Sequence, residues 1–367
     1  MSHDHRSVLD LPVDGTVEPE EFIAAAMDWH FGSTTGSPFW LERAKRLDFD
    51  PRRDVRTFDD LRLFPDVTRE LRDVPAADLV PRGYGDRAGA VVGYYESGGT
   101  TGAPKRLPLL ADWADRIVAW TARNMDLRGD PRGVDWLALV PTGPHLFGEL
   151  VRRQARLRGG LVFTIDLDPR WVRRCIADGR TDEASRYSAH LVEQSADVLR
   201  TQDIGVLCAT PPLLERMARD DELVGLINKK VKTIMWSGTH MDRDTRRLLR
   251  EEVFPDVRLH GGYGSTTMLG GVDERFTASA DGPCVIDPYA PYITFQVVQP
   301  QDRVPVPFGE RGQVLINHIS RGVLLPNNLE RDLATRTPPP PGVLGDSLAD
   351  ITPAPAFDDQ VIVEGVY

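Results

Sequence analysis

Tyr95-Glu96-Ser97-Gly98-Gly99-Thr100-Thr101-Gly102-Ala103-Pro104-Lys105 is the stretch on which the reading of this chain turns. It follows the apolar run Ala90-Val91-Val92, as a loop follows a strand. Small residues and hydroxyls at this density suit an oxyanion. Glycines let the backbone come close, main-chain N–H groups converge, and Ser and Thr hydroxyls add donors. Lys105 brings a compact positive charge. A Walker-type P-loop is disfavoured, because it needs four residues between its glycines and a Gly-Lys-Ser/Thr ending that opens a helix. Here three residues separate Gly98 from Gly102, Lys105 follows Pro104, and no hydroxyl comes next. A plain surface loop explains Ser97-Gly98-Gly99 well, but the full string much less well.

Downstream of the loop, strands and helices alternate. The apolar runs at 136–140, 161–165, 204–208, 231–236 and 257–260 read as buried strands. Helical stretches between them fall at 146–157, 171–176, 187–199, from about Pro212, and at 242–252. This order predicts right-handed βαβ units and an α/β fold with a largely parallel central sheet flanked by helices. The spacing of Trp113, Ile117 and Trp120 marks a helix with a core-facing stripe. Residues 242–252 read as a solvated helix face. Residues 292–298 and 312–319, joined through Gly309-Glu310-Arg311-Gly312, read as antiparallel strands, a smaller barrel-like part. Residues 1–85 form a mainly helical N-terminal region and 86–340 the core. The stretch 341–367, with Pro338-Pro339-Pro340-Pro341 before it, reads as a rigid extended tail rather than core.

Composition narrows the partners. The chain has 367 residues, 44 basic and 55 acidic, a net charge of -11 and a pI near 5.3. Such a balance disfavours nucleic acid, though not a single nucleotide in a local pocket. With a mean hydropathy of -0.30 and no long apolar run, a membrane span is not expected. The N-terminus lacks the layout of a signal peptide. Cys175, Cys208 and Cys284 are far apart and outside any metal spacing, which points to a reducing, cytoplasmic setting. His3 and His5 read as part of a mobile terminus.

The string from Ser97 to Lys105 resembles the phosphate loop of the adenylate-forming superfamily of acyl- and aryl-CoA ligases, in its phenylacetate-CoA ligase branch. Other stretches match in the expected order. Gly262-Tyr263-Gly264-Ser265-Thr266-Thr267 resembles the YGxTE motif, and Trp236-Ser237-Gly238-Thr239 the turn that lines the adenine pocket. Gly309-Glu310-Arg311-Gly312-Gln313-Val314-Leu315-Ile316 resembles the GExGEL hairpin. Glu330-Arg331-Asp332-Leu333 resembles the ribose-binding segment, and residues 357–367 the hinge strand before a C-terminal domain. The resemblance implies ATP as cofactor, with Ser97, Gly98, Gly99, Thr100, Thr101, Gly102 and Lys105 on the phosphates. It places Gly238, Thr239, Tyr263, Gly264 and Ser265 around the adenosine, Thr266 on the α-phosphate and Asp332 on the ribose hydroxyls. Gly262 is assigned to the substrate side.

Two departures bear on the chemistry. The motif glutamate that helps to hold Mg²⁺ is Thr267 here, a weaker ligand, with Asp273 or Glu274 as substitutes or the phosphates holding the ion. The resemblance also implies that the chain stops at the hinge without the small C-terminal domain and its lysine, by nature or by truncation. Such a short chain is similar to the griseoluteate-type phenazine antibiotic biosynthesis proteins. The implied reaction activates an aromatic carboxylic acid as an acyl-adenylate for a partner enzyme, either an acyl acceptor or a reductase. Lys105, Thr266 and Arg331 would carry catalysis, with Arg336 or a partner protein as other sources of charge. For the acid, His145, Phe147 and Trp236 are candidates, as are Cys208 and the Thr210-Pro211-Pro212 turn; core packing explains each of them as well. Two alternatives stand: a degenerate nucleotide- or aryl-acid-binding protein, and an acyl-protein synthetase with a cysteine carrier. A homodimer remains open.

Overall fold

A computed structural model describes residues 8–97, 103–276 and 282–354, together with the backbone of 356–357 and 360–361. The N-terminal region is helical: α1 (Pro19–Phe31), α2 (Pro38–Ala44), then single turns. Proline at the first helical positions and the Ser37 side chain accepting from the Trp40 N–H fix where α2 begins. Phe22 meets Tyr292 edge-on at 5.4 Å, which lays α1 against the C-terminal sheet.

β1 (Val91–Glu96) and β2 (Arg106–Leu110) pair antiparallel, and the glycine-rich string connects them. α3 (Ala111–Leu127) follows, with Trp113 and Ile117 buried and Trp120 half-buried. The central layer then builds as β3 (Asp135–Val140), α4 (Leu146–Leu157), β4 (Val162–Asp166), α5 (Pro169–Ala177), α6 (Thr181–Thr201), β5 (Ile204–Ala209), α7 (Pro211–Met217), α8 (Asp221–Lys230), β6 (Thr233–Trp236), α9 (Arg243–Leu248), β7 (Arg258–Ser265) and β8 (Gly270–Asp273). Asp168, Asp220 and Asp242 cap α5, α8 and α9 by accepting from backbone N–H groups of the first turn.

The six strands run in the order β4-β3-β5-β6-β7-β8, parallel except for β8. Alternate residues face opposite layers. Trp136, Ala138, Val140, Val206 and Cys208 pack with α3 and α4, whereas Leu137, Leu139, Leu207 and Ile234 pack with α6, α7 and α8. Burial on both faces explains the uninterrupted apolar runs. β8 was not expected: Gly270-Gly271-Val272-Asp273 is too short and glycine-rich to show as a strand, and it exists by pairing with β7.

The second sheet is antiparallel, β10-β11-β12-β13-β9, from β9 (Val285–Ile286), β10 (Ile293–Val298), β11 (Arg311–Ile319), β12 (Leu324–Thr337) and β13 (Ser347–Pro353). The reading of 341–367 as a tail is corrected here. β13 pairs with both β12 and β9, and Asp346, Ser347 and Leu348 are buried. The prolines bound this strand rather than exclude it from the core. Only 356–357 pairing with 360–361 can be described of the expected hinge strand. Along 242–252 most charged side chains are exposed, as a solvated face should be, while Arg246 and Leu249 turn inward, Arg246 against Glu274. No described helix is long and apolar enough to cross a membrane.

Candidate active site

The hairpin root is closed by two bonds. The Ser97 N–H donates to the Lys105 carbonyl at 2.9 Å, and the Lys105 N–H donates to Ser97 Oγ at 2.9 Å. Gly98, Gly99, Thr100, Thr101 and Gly102 lie outside the described residues. The Glu96 carboxylate is held by Arg106 (2.8 Å) and Arg170 (2.7 Å), and Arg170 also donates to the Ser97 carbonyl at 3.2 Å. Both guanidiniums are thus paired with Glu96 beside the hairpin root. The Thr266 hydroxyl donates to the Glu96 carbonyl at 3.3 Å, which joins the β7–β8 turn to the end of β1.

A cavity of about 360 Å³ opens at this junction. Ser97, Lys105 and Thr266 line it, with His145 and Phe147 from the start of α4 and Trp236 from the end of β6. Burial and the nearby Arg170 charge lower the His145 pKa, so its ring is neutral near pH 7. A smaller cavity of about 150 Å³ is bordered by Thr239, His240 and Asp350. Trp236, Gly238, Gly262, Tyr263, Gly264 and Arg331 belong to both. Gly238 has φ +92, a turn that a side chain would strain. At Gly264 a Cβ would come within 2.6 Å of the Gly270 carbonyl, so the two strands approach only because that residue is glycine.

Tyr263 donates its hydroxyl to Asp332 Oδ2 at 2.9 Å, joining β7 to β12. Burial pushes the Asp332 carboxyl up to about 6, against the pull of Arg331. Burial and the Asp332 charge raise the Tyr263 phenol well above its usual range. Arg331 Nη1 is buried with no hydrogen-bond partner among the described residues, at the border of both cavities. Arg336, the other expected cation, is committed elsewhere: it bonds Asp346 at 2.9 Å and the Val306 carbonyl at 2.7 Å, over the Phe308 ring.

The expectations about acids and metal are partly redirected. Thr267 is buried, and its hydroxyl donates to Glu330; Ser265 Oγ lies 2.8 Å from it and 3.3 Å from Glu330. Neither proposed substitute is free for a cation. Asp273 faces Arg128 at 3.3 Å, and Glu274 is paired with Arg246 and accepts from the Gly261 N–H at 2.9 Å. Glu330 is the carboxylate that accepts from Thr267, Ser265 and Asn328. No group of three or more metal-ligating side chains exists among the described residues. Cys208 is fully buried in the sheet, its thiol pushed up to about 12, and Thr210 borders the larger cavity. Glu330, Arg170, Trp136 and His260 were not singled out from the sequence. Arg170, Trp136 and His260 join the site by tertiary placement, whereas Glu330 lies in the motif that pointed to Asp332 and was given no role of its own.

No protein-family model matches the chain, and no curated protein does. Solved structures do match. A 2-hydroxyisobutyryl-CoA ligase in complex with 2-HIB-AMP and CoA, in the thioesterification state, superposes with TM-score 0.67 at 17% identity over 96% of this chain and 71% of that one. An open conformation of the ligase with the same ligands gives 0.65 at 15% identity, over 99% and 84%. The fold is that of adenylate-forming ligase domains. At this identity the likeness establishes the α/β architecture, with its mixed central sheet and antiparallel second sheet, and leaves the chemistry to the site.

Proposed function

We propose that the chain activates an aromatic carboxylic acid with ATP, forming an acyl-adenylate and pyrophosphate for a partner enzyme in secondary metabolism of the phenazine-antibiotic kind. The observation that carries this reading is convergence. The hairpin root, Thr266, the Tyr263–Asp332 pair and the unspent Arg331 cation surround adjoining cavities. Attack of a carboxylate oxygen on the α-phosphorus brings two anions together, so the protein's work is positioning and charge compensation. Lys105 and the glycine-rich string would hold the β- and γ-phosphates, Thr266 would meet the α-phosphate, and Arg331 would offset charge beside the ribose carboxyl Asp332. His145 and Phe147 would flank the acid. Glu330, with Thr267 and Ser265, would take part in holding Mg²⁺, which would screen the phosphates.

Acid-dependent exchange of pyrophosphate into ATP, measured over a panel of aryl acids, tests this. Exchange stimulated by at least one acid is expected; nucleotide binding without exchange, even with pathway partners added, overturns it. That second outcome fits a non-catalytic nucleotide- and acid-binding protein, which the threonine at position 267 favours. The cysteine-carrier alternative is weakened by the thiols. Cys175 and Cys208 are buried, and burial and the Glu274 carboxylate raise the Cys284 thiol, the reverse of an activated nucleophile.

A further inference from the structure

We propose that Trp113 is a positioning residue for Thr266: its indole N–H holds the turn between β7 and β8 in the conformation that presents the Thr266 hydroxyl to the α-phosphate. This rests on the reading that Thr266 meets that phosphate.

The turn is short. Ser265 pairs with Gly270, so four residues, Thr266-Thr267-Met268-Leu269, reverse the chain. The Leu269 N–H donates to the Thr266 carbonyl at 3.1 Å, and the Met268 N–H to Ser265 Oγ at 3.2 Å. Leu269 stands at φ +47, in the left-handed region that glycine and asparagine enter readily and a bulky side chain does not. Such a residue persists only where its surroundings over-determine it.

Helix α3 supplies that restraint. Trp113 Nε1 donates to the Leu269 carbonyl at 2.8 Å, and the Leu269 side chain is fully buried. At the next residue, Gly270, a Cβ would stand 3.0 Å from Ile117 Cγ1, so α3 lies flush against the start of β8. The indole has other anchors. It is 2% exposed, with the His318 and Tyr292 rings centred 4.3 and 5.8 Å away. Trp113 is therefore a fixed donor, and the turn is the part that conforms to it.

Thr266, at the other end of the turn, is half-buried and lines the larger cavity. Its own hydroxyl contact, to the Glu96 carbonyl, is long at 3.3 Å and fixes it weakly. The Leu269–Thr266 bond passes on the position that Trp113 sets. Any buried indole needs an acceptor. This one takes the carbonyl of the left-handed residue whose N–H is bonded to Thr266.

Titration calorimetry of the full chain with adenosine and with AMP tests the proposal, because the two ligands differ by the α-phosphate alone. The wild type is expected to bind AMP about tenfold or more tightly than adenosine. Trp113→Phe, which keeps a ring and deletes the N–H, should weaken AMP about three- to tenfold and leave adenosine within about twofold. A general loosening of the core would weaken both ligands alike. Replacing Trp113 by benzothienylalanine, with sulfur in place of the N–H in the same bicyclic ring, is the second variant should phenylalanine fail to fold, with the same expected direction. In a Thr266→Val background either replacement should leave the AMP-to-adenosine ratio within about twofold. A ratio that survives loss of the N–H, equal losses for both ligands, or an undiminished effect in the Thr266→Val background overturns the proposal alone. A wild type that binds AMP and adenosine alike, or neither, overturns the α-phosphate reading and the proposal with it.

Discussion

At Asp332 two requirements pull against each other. The proposed hold on ribose hydroxyls favours an ionised carboxyl, yet burial raises its pKa to about 6. A carboxyl whose folded pKa exceeds its unfolded value of 3.8 stabilises the fold below that value and loses the contribution as pH climbs through the folded one. Asp332→Asn should therefore raise stability by about 1 kcal/mol at pH 7.5 and change little at pH 3.5, read from denaturant midpoints. The same variant should weaken ATP binding at pH 7.5, and the wild type should lose nucleotide affinity as pH falls below about 6. Lys105 makes a simpler case. Its backbone closes the hairpin, so Lys105→Ala leaves that bond and removes only the cation. Pyrophosphate exchange should fall about 10²–10³-fold while the far-ultraviolet dichroism stays unchanged.

Among the elements, the β7–β8 hairpin couples the site to the rest of the sheet. Glu274, just past β8, is 6% exposed at its side chain and answers Arg246 on α9. Removing one partner of such a buried pair leaves a desolvated charge, but Arg250 stands 3.5 Å from the same carboxylate and keeps part of the compensation, so Arg246→Met should cost about 2–3 kcal/mol, seen as a lower denaturant midpoint. This element also shows what the sequence discloses. β3 and β5 are legible because burial on both faces writes an unbroken apolar run. α4 is legible to the residue because its apolar face recurs at helical spacing. β8 is not, and neither is β13, whose proline-flanked sequence carries little local preference and which depends on its partners β12 and β9. In the site, Tyr263, Thr266 and Asp332 are readable because they sit in compact motifs. Glu330 lies in the same motif as Asp332, but its pairing with Thr267 appears only on folding, and the Arg128–Asp130–His260 network is not legible at all, since its members come from distant stretches.

The whole molecule depends on long-range seams between the N-terminal helices and the antiparallel sheet. Trp29 and Trp40 donate their indole N–H groups to the carbonyls of Arg321 and Leu324, at 2.8 and 2.9 Å. His30 Nε2 lies 2.7 Å from the Ser320 carbonyl. Burial lowers the His30 pKa to about 4 and that of His318 to about 3, so both rings are folded in neutral form. Histidines depressed in this way stabilise the fold above their unfolded pKa of 6.5 and withdraw that contribution as pH falls towards the folded values. Between pH 7 and pH 5 the chain should lose about 2–4 kcal/mol of stability, in the opposite sense to Asp332, and His30→Gln should flatten that loss in a series of urea titrations. Trp236, at the end of β6, and the Gly262-Tyr263-Gly264 run of β7 border both cavities. Two occupants touching these shared residues would be thermodynamically linked. Whatever factor the acid imposes on nucleotide affinity, the nucleotide must impose on the acid, so a side chain added at Gly262 would register in both binding isotherms rather than one.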